Sequence, residues 1–491
     1  MRARLAMLLP ALLAAIGGIA GMAGLAGCGG DDPAAVGGDS TLRGTLIDPD
    51  GDGALDRGPG EPLRDRGGRG APGAVLATVV QLTDLHVRDE ESPGRAPYLD
   101  RLGVPFGSTF RPHESLSTQV LAAAIRAANA ARPDAAFVTG DLLDSASAAE
   151  ADQALAVLDG GEVDPDTGRP GYQGVQEASE ADPLFYRPAL DAPRHPAMLA
   201  AAARPFGSPG LRAPWYPALG NHDLLVQGET PPTAALDAFA TGTRMVTGLD
   251  PAVRADPSAD SAAAVRALLA AGAPGRDRAV AADPARRFLR PAELIAALAR
   301  RAGAPPELRA AAERETLDYA VDLGPDARAL VLDTVDRGGG SRGLLRPGQL
   351  GWLRAELARA GDRALLVFSH NPLDNTEGGA AALDALAATP AAVVAVIAGN
   401  GHRNRIRPHA AGFWQIATSS LADFPMQVRA LRLRRGPGDA GFVLETWMLD
   451  HDGAGLAGTA RELAFLDAQG GRPQGFAGGR ADRNARLFVA R

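Results

Sequence analysis

The chain has 491 residues, 46% of them apolar, which excludes a disordered polypeptide and allows one large domain or two to three ordinary ones. Its formal net charge of −8 disfavours a generic nucleic-acid binder, a class marked by a basic face, and no nucleic-acid-binding surface is evident. Glycine (60) and proline (38) are abundant, aromatics are only 5%, and the basic charge is all arginine, a coding bias from which no function follows.

The N-terminal stretch starts Met-Arg-Ala-Arg and runs apolar from Leu5 to Ala26, the pattern of an export signal over residues 1–27. It ends Leu25-Ala26-Gly27-Cys28, which resembles a bacterial lipoprotein box. Cys28 is the only cysteine, so an intrachain disulfide is impossible. It falls at the one place where the box needs a thiol. This favours lipidation at Cys28 over a plain signal peptide or a membrane helix, and implies an extracytoplasmic protein tethered to the cell membrane. Residues 28–73 are rich in Gly, Pro, Asp and Arg and read as a flexible tether. Within them, Asp48-Pro-Asp-Gly-Asp-Gly53 starts like a calcium loop, but Pro59 stands where a bidentate Glu is needed, so it reads as an acidic turn.

Val75–Leu82 is the first buried strand, and it ends in Thr83-Asp84-Leu85-His86. Alternation puts Asp84 and His86 on one side of the extended chain, half of a metal site. An Ala-rich helix over 114–131 stops at Arg132-Pro133, and a strand at Ala135–Thr139 leads into Gly140-Asp141-Leu-Leu-Asp144. This is a β-α-β unit with acids at both strand ends, where ligands of such sheets gather. Residues 145–212 read as an excursion over the site, with His195 on a surface loop. Trp215–Leu219 is a short strand ending in Gly220-Asn221-His222-Asp223. Residues 224–315 read as a helical cap. Strands follow at 317–321 and 329–333, a helix at 346–357, and strands at 364–368 before His370 and at 392–398 before Gly399-Asn400-Gly401-His402. Gly412–Ala417, Val428–Leu433 and Phe442–Leu449 look like antiparallel strands of a second sheet; the tail after Asp450 is weakly patterned. There is no internal repeat.

Five apolar strands thus end in residues suited to metal or phosphate: Asp84/His86, Asp141, Asn221/His222, His370 and Asn400/His402. They use four of the 8 histidines; His113, His409 and His451 have no such context and read as surface or structural. In this order the blocks resemble the calcineurin-like metallophosphoesterase superfamily: Asp-x-His, Gly-Asp-x-x-Asp, Gly-Asn-His-Asp, a lone His, then Gly-His-x-His. The first four match in full, with Asp144 closing the second. The resemblance covers roughly 75–430 and implies an α/β fold, a four-layer α/β/β/α sandwich. The metallophosphoesterase domain would span 74–430 with insertions at 145–212 and 224–315, and 431–491 would add C-terminal strands and a tail.

By the same resemblance, Asp84 and His86 bind a first divalent metal, Asp141 bridges, and Asn221 and His370 bind a second. His222, oriented by Asp223, contacts phosphate and protonates the leaving group. A phosphomonoester or phosphodiester would be hydrolysed by attack of metal-bound hydroxide. The residue types suit Mn, Fe or Zn. The last block departs from the pattern. Read without a gap, Asn400 replaces a second-metal histidine and His402 keeps a first-metal one; a shifted register starting at Gly401 puts Asn404 in the second position. Either way an imidazole is missing, so the second metal is expected to be weak, exchangeable or different. The alternative is a binding or scaffold protein on the same fold, disabled at Asn400. The substrate, whether monoester or diester, and the oligomeric state have no signal in the sequence.

Overall fold

The computed structural model describes residues 39–102, 109–249, 275–314, 316–469 and 477–490. The export signal, Cys28 and the first part of the expected tether lie outside the described residues. None of the described helices is long and apolar enough to cross a membrane.

The apolar runs pair into two mixed sheets, whose strands are numbered in chain order. The first holds β1 (Arg64–Arg66), β2 (Val75–Leu82), β3 (Ala135–Thr139), β4 (Trp215–Ala218), β11 (Val428–Arg435), β12 (Phe442–Leu449) and β13 (Ala485–Val489) in the order β1-β13-β12-β11-β2-β3-β4. The second holds β5 (Tyr319–Asp322), β6 (Ala327–Leu332), β7 (Ala364–Ser369), β8 (Ala392–Ala398), β9 (Arg405–Pro408) and β10 (Trp414–Ala417) in the order β5-β6-β7-β8-β10-β9. β2, β3 and β4 are parallel, as are β6, β7, β8 and β10. Every residue of β3 and β7 is buried, which is why these strands read as continuous apolar runs rather than as alternating ones.

The sheets face one another. Phe137 of β3 stacks on Phe368 of β7 with ring centroids 3.9 Å apart. Gln81 of β2 donates to Thr139 Oγ1 and to the Ala398 carbonyl, and accepts from Thr418 Oγ1. This amide ties three strand ends across the layer and leaves no polar atom of its own unpaired in the core. The helices α1 (Ser117–Ala130) and α2 (Ala148–Asp159) contribute Leu121, Ile125, Ala154 and Leu158 to the principal core. On the second sheet, α3 (Gln349–Arg359) and α4 (Gly379–Ala388) cover Leu330, Leu365 and Val367 with Leu353, Leu357 and Leu386. Burying each such side chain contributes about 1.5–3 kcal/mol.

Several expectations are corrected. β10 belongs to the second sheet, whereas β11 and β12 join the first; alternation marks a half-buried strand without saying which sheet accepts it. The expected tether is docked from residue 39 onward. Ser40 and Thr41 are buried, Thr41 bonds the Met448 carbonyl and Asn484, and β1 pairs in parallel with β13. The tail carries α5 (Gly455–Gln469) and β13. The excursion and cap are not purely irregular or helical: they hold two-stranded pairs at Gly161–Val163 with Phe206–Ser208, and at Arg244–Leu249 with Gly275–Ala279. The helix expected from 114 opens with a 3-10 turn at Glu114–Leu116.

Candidate metal centre

Because the central strands of each sheet are parallel, their carboxyl ends share a rim, where small loops carry the polar residues inward. Five residues on these loops take left-handed backbone angles that non-glycine residues rarely adopt: Asp84 (φ 51), His86 (φ 45), Asp141 (φ 51), Asn400 (φ 62) and His402 (φ 49). Each costs on the order of 1 kcal/mol or more and persists only where neighbours over-determine it. Two glycines make the approach possible. A Cβ on Gly220 would lie 2.1 Å from Asp141 Oδ1, and one on Gly399 would lie 2.0 Å from Thr83 Oγ1 and 2.6 Å from Asp84 Oδ2.

One oxygen or nitrogen each from Asp84, His86, Asp141 and His402 lies within 4.8 Å of the others. The Nε2 atoms of His86 and His402 are 3.3 Å apart, His402 Nε2 is 3.4 Å from Asp84 Oδ1, and His86 Nε2 is 3.7 Å from Asp141 Oδ2. On the far side of Asp141, His370 Nε2 stands 3.3 Å from Oδ2 and 3.2 Å from Asn221 Oδ1. Asp141 therefore faces both groups, as a bridging carboxylate must. His222 packs edge-on against His86, with ring centroids 4.6 Å apart.

All four imidazoles turn Nδ1 outward to an acceptor. His86 meets Asp144 Oδ1 at 3.1 Å, His222 the Asp144 carbonyl at 2.6 Å, His370 the Thr139 carbonyl at 2.9 Å, and His402 the Asp423 carboxylate. An acceptor at Nδ1 places the proton there and leaves Nε2 as the ligating atom, the arrangement in which metal-bound histidines are held. Two carboxylates and two imidazoles fit one divalent transition ion, and Asp141, His370 and Asn221 offer part of a second set.

The charges agree with that reading. Burial pushes the Asp84 carboxyl up, but the His402 and His370 charges outweigh it and hold it below its usual range. Burial and the His222 charge lower His86 to about 4, so it is neutral and ready to ligate. Burial alone would lower His370 and His402, but neighbouring carboxylates raise them to about 9 and about 10. In the metal-free protein these two imidazoles carry the positive charge that offsets Asp84 and Asp141, and a cation would displace those protons.

Two expected roles are placed differently, and the position of His402 is as expected. Asp223 does not touch the His222 ring: its carboxylate accepts from Gly220 N at 2.8 Å and Leu143 N at 3.0 Å. It therefore braces the two loops that carry Asn221 and Asp141, and burial with the Asp141 charge raises it to about 7. Asn400 joins the centre by its main chain, its N–H donating to both Asp84 oxygens at 3.0 and 3.2 Å, while its side-chain amide lies 3.4 Å from the Ser341 carbonyl. His402 sits with Asp84 and His86, which is the ungapped register; Asn404 is buried elsewhere, accepting from Arg429 and Ser419 N.

Asp423 and its partners Arg111 and Ser420 were not foreseen, because nothing local distinguishes them from ordinary polar residues. Arg111 Nε is 2.6 Å from Asp423 Oδ1, and Ser420 Oγ is 3.0 Å from Oδ2. His113 is buried against the Ala422 carbonyl and His451 is buried near Arg461, both structural, while His409 stacks on Phe413. His195 pairs with Glu462 at 3.2 Å. Asp48, Asp50 and Asp52 approach one another, and Asp48 accepts from Gly51 N and Gly53 N, as an acidic turn does.

No family model matches the chain, and no curated protein matches it. Among solved structures it is similar to a dimetal phosphatase from Danio rerio, at 14% identity over 77% of this chain and 100% of that one, with a TM-score of 0.38. It is also similar to PhoD, at 12% identity over 81% of this chain and 73% of that one, with a TM-score of 0.27.

Proposed function

We propose that the protein is a metal-dependent phosphoesterase of the metallophosphoesterase type, on a four-layer α/β/β/α sandwich, hydrolysing a phosphomonoester or phosphodiester. The observation that carries this reading is the set of three imidazoles at one rim, His86, His370 and His402, each anchored at Nδ1 and turned with Nε2 within 3.7 Å of Asp84 or Asp141, with the His222 ring packed beside His86. Rings so held from behind keep each Nε2 beside a buried carboxylate, where a divalent cation would take the place of a proton. Divalent ions held by Asp84, His86, Asp141 and His402, with Asn221 and His370 on the second side, would supply Lewis acidity and an activated water.

The chain's own residues do the rest. Asp141 holds the two halves in register, its Oδ1 also accepting from His222 N at 2.9 Å. His222, anchored at Nδ1 by the Asp144 carbonyl, is only half-buried and packs its ring against His86, which leaves its Nε2 free of the anchor for the part of a general acid. A one-metal enzyme is a second reading, favoured by the side chain of Asn400, which turns to Ser341 instead of toward His370. Export and lipid anchoring at Cys28 rest on the sequence pattern of residues 1–28.

The test is metal content and hydrolysis of nitrophenyl phosphomonoester and phosphodiester by the full chain loaded with Mn(II) or Zn(II), beside Asp141→Asn. Turnover that falls on the order of 100-fold or more in the variant, with lost metal, supports the reading. Absence of turnover and of bound metal in the unaltered chain rejects it.

A further inference from the structure

Behind the centre lies a chain of buried ions that, apart from Asp144, lies outside the strand-end motifs. It starts at His86 Nδ1, which meets Asp144 Oδ1 at 3.1 Å; that same oxygen binds Arg88 Nη2. Arg88 Nη1 continues to Glu114 Oε2 at 3.2 Å, and Glu114 Oε2 accepts the main-chain N–H of Arg111, also at 3.2 Å. The Arg111 side chain then holds Asp423 at 2.6 Å, and Asp423 holds His402 Nδ1. The circuit closes inside the centre, where the two Nε2 atoms are 3.3 Å apart. Arg95 braces it from outside, with its two terminal nitrogens on Glu114 Oε1 and Oε2 at 2.9 and 3.0 Å.

Asp144, Glu114, Asp423, Arg88, Arg95 and Arg111 are each 5% exposed or less. Three carboxylates face three guanidinium groups, so the set is balanced, and loss of one member leaves an uncompensated buried charge. Glu114 occupies the middle. It serves Arg88 on the His86 side and the Arg111 main chain on the His402 side, and it touches neither histidine. His86 and His402, each held at Nδ1 from outside, bring their two Nε2 atoms together. That contact is unfavourable without a cation or proton between them, and it needs a frame that holds both rings from behind.

We infer that Glu114 is a positioning residue: through Arg88–Asp144 and Arg111–Asp423 it sets the separation of the His86 and His402 ligating atoms and so preorganises the first metal site. This rests on the phosphoesterase reading only for the identity of the metal centre.

The experiment uses the metal-stripped full chain, as unaltered protein, Glu114→Gln and Arg95→Gln, the last keeping the question open to test if Glu114→Gln does not fold. Calorimetry with Zn(II) and with Mn(II) reads affinity, and imidazole nitrogen resonances read ring environment without metal. The expected result in Glu114→Gln is a loss of about tenfold or more at the tighter site, as for other groups that orient metal ligands, with the weaker site unchanged. The His86 and His402 resonances should move together while His370 stays. Arg95→Gln should move the same two resonances. A folded variant with a smaller loss of affinity, or with both resonances in place, overturns the inference. If the unaltered chain binds neither metal, the phosphoesterase reading fails, and the resonances alone decide the frame: joint movement of His86 and His402 upholds it, and no movement overturns it.

Discussion

The His222 imidazole is anchored by the main chain of Asp144, with Nδ1 donating to that carbonyl at 2.6 Å, while the neighbouring Asp223 carboxylate points away to Gly220 N and Leu143 N. One residue, Asp144, thus orients two histidines: His86 by its carboxylate and His222 by its carbonyl.

Asp223 is therefore expected to matter first for folding. Asp223→Ala leaves two buried N–H groups without an acceptor, a loss of roughly 2–4 kcal/mol in unfolding free energy. Urea denaturation of the metal-free chain measures it. Unchanged stability together with a large loss of turnover would restore Asp223 as the orienting partner of His222.

Asn400→His is expected to raise metal retention. The amide of Asn400 lies near Ser341 at 3.4 Å and can be given up at little cost. An imidazole there adds a donor on the His370 side, which offers fewer imidazoles than the His86 side. Dialysis followed by metal analysis should show the stoichiometry rising toward two ions per chain. A stoichiometry identical to that of the unaltered protein would mean that the loop cannot bring residue 400 to the second position.

Glu150 predicts a pH dependence away from the ligands. Its carboxyl accepts from Asp89 N and Ser145 N, is fully buried, and is raised to about 8 by burial and then by the Asp144 charge. The ordinary value for a glutamate is about 4.3. Across that interval the folded chain binds a proton that the unfolded chain has released, so stability falls as pH rises. The contribution is complete below the unfolded value and lost by the time pH passes the folded one. Glu150→Gln should flatten this slope, and its melting temperature should decline less than that of the unaltered chain between pH 5 and pH 9. Parallel melting curves for the two proteins would contradict it.

Cys28→Ser is expected to release the protein from the membrane fraction of cells that export it. Unchanged fractionation would remove lipidation at Cys28 as the means of attachment.

The strand ends were legible because each is local: an apolar run, a small residue, then an acid, amide or imidazole within three positions. The frame behind them was not. Arg111 and Asp423 are 312 positions apart, and neither stands in a pattern that distinguishes it from a surface residue. The Asp144 carbonyl leaves no trace in sequence at all, since every residue has one, and so the adjacent Asp223 was the natural choice as the partner of His222. The same limit explains the sheets. Val428–Arg435 and Phe442–Leu449 were recognisable as strands, but their place beside Val75–Leu82 depends on pairing between residues such as Ala430 and Val80. Residues 39–73 carry little signal for a related reason: a polar segment such as Arg64–Arg66 enters a sheet edge through main-chain bonds and needs few apolar side chains to do so.

The pairing of β1 with β13 also joins the two ends of the described chain. Asp65 and Arg486, which meet across this pair, are 421 positions apart, so the ribosome completes nearly the whole polypeptide before the strand made early can find its partner. Until then β1 lacks the strand beside which it lies in the finished sheet. The sheet edge is thus closed by two strands from opposite ends of the described chain, so a truncation before Ala485 would leave β1 without its neighbour.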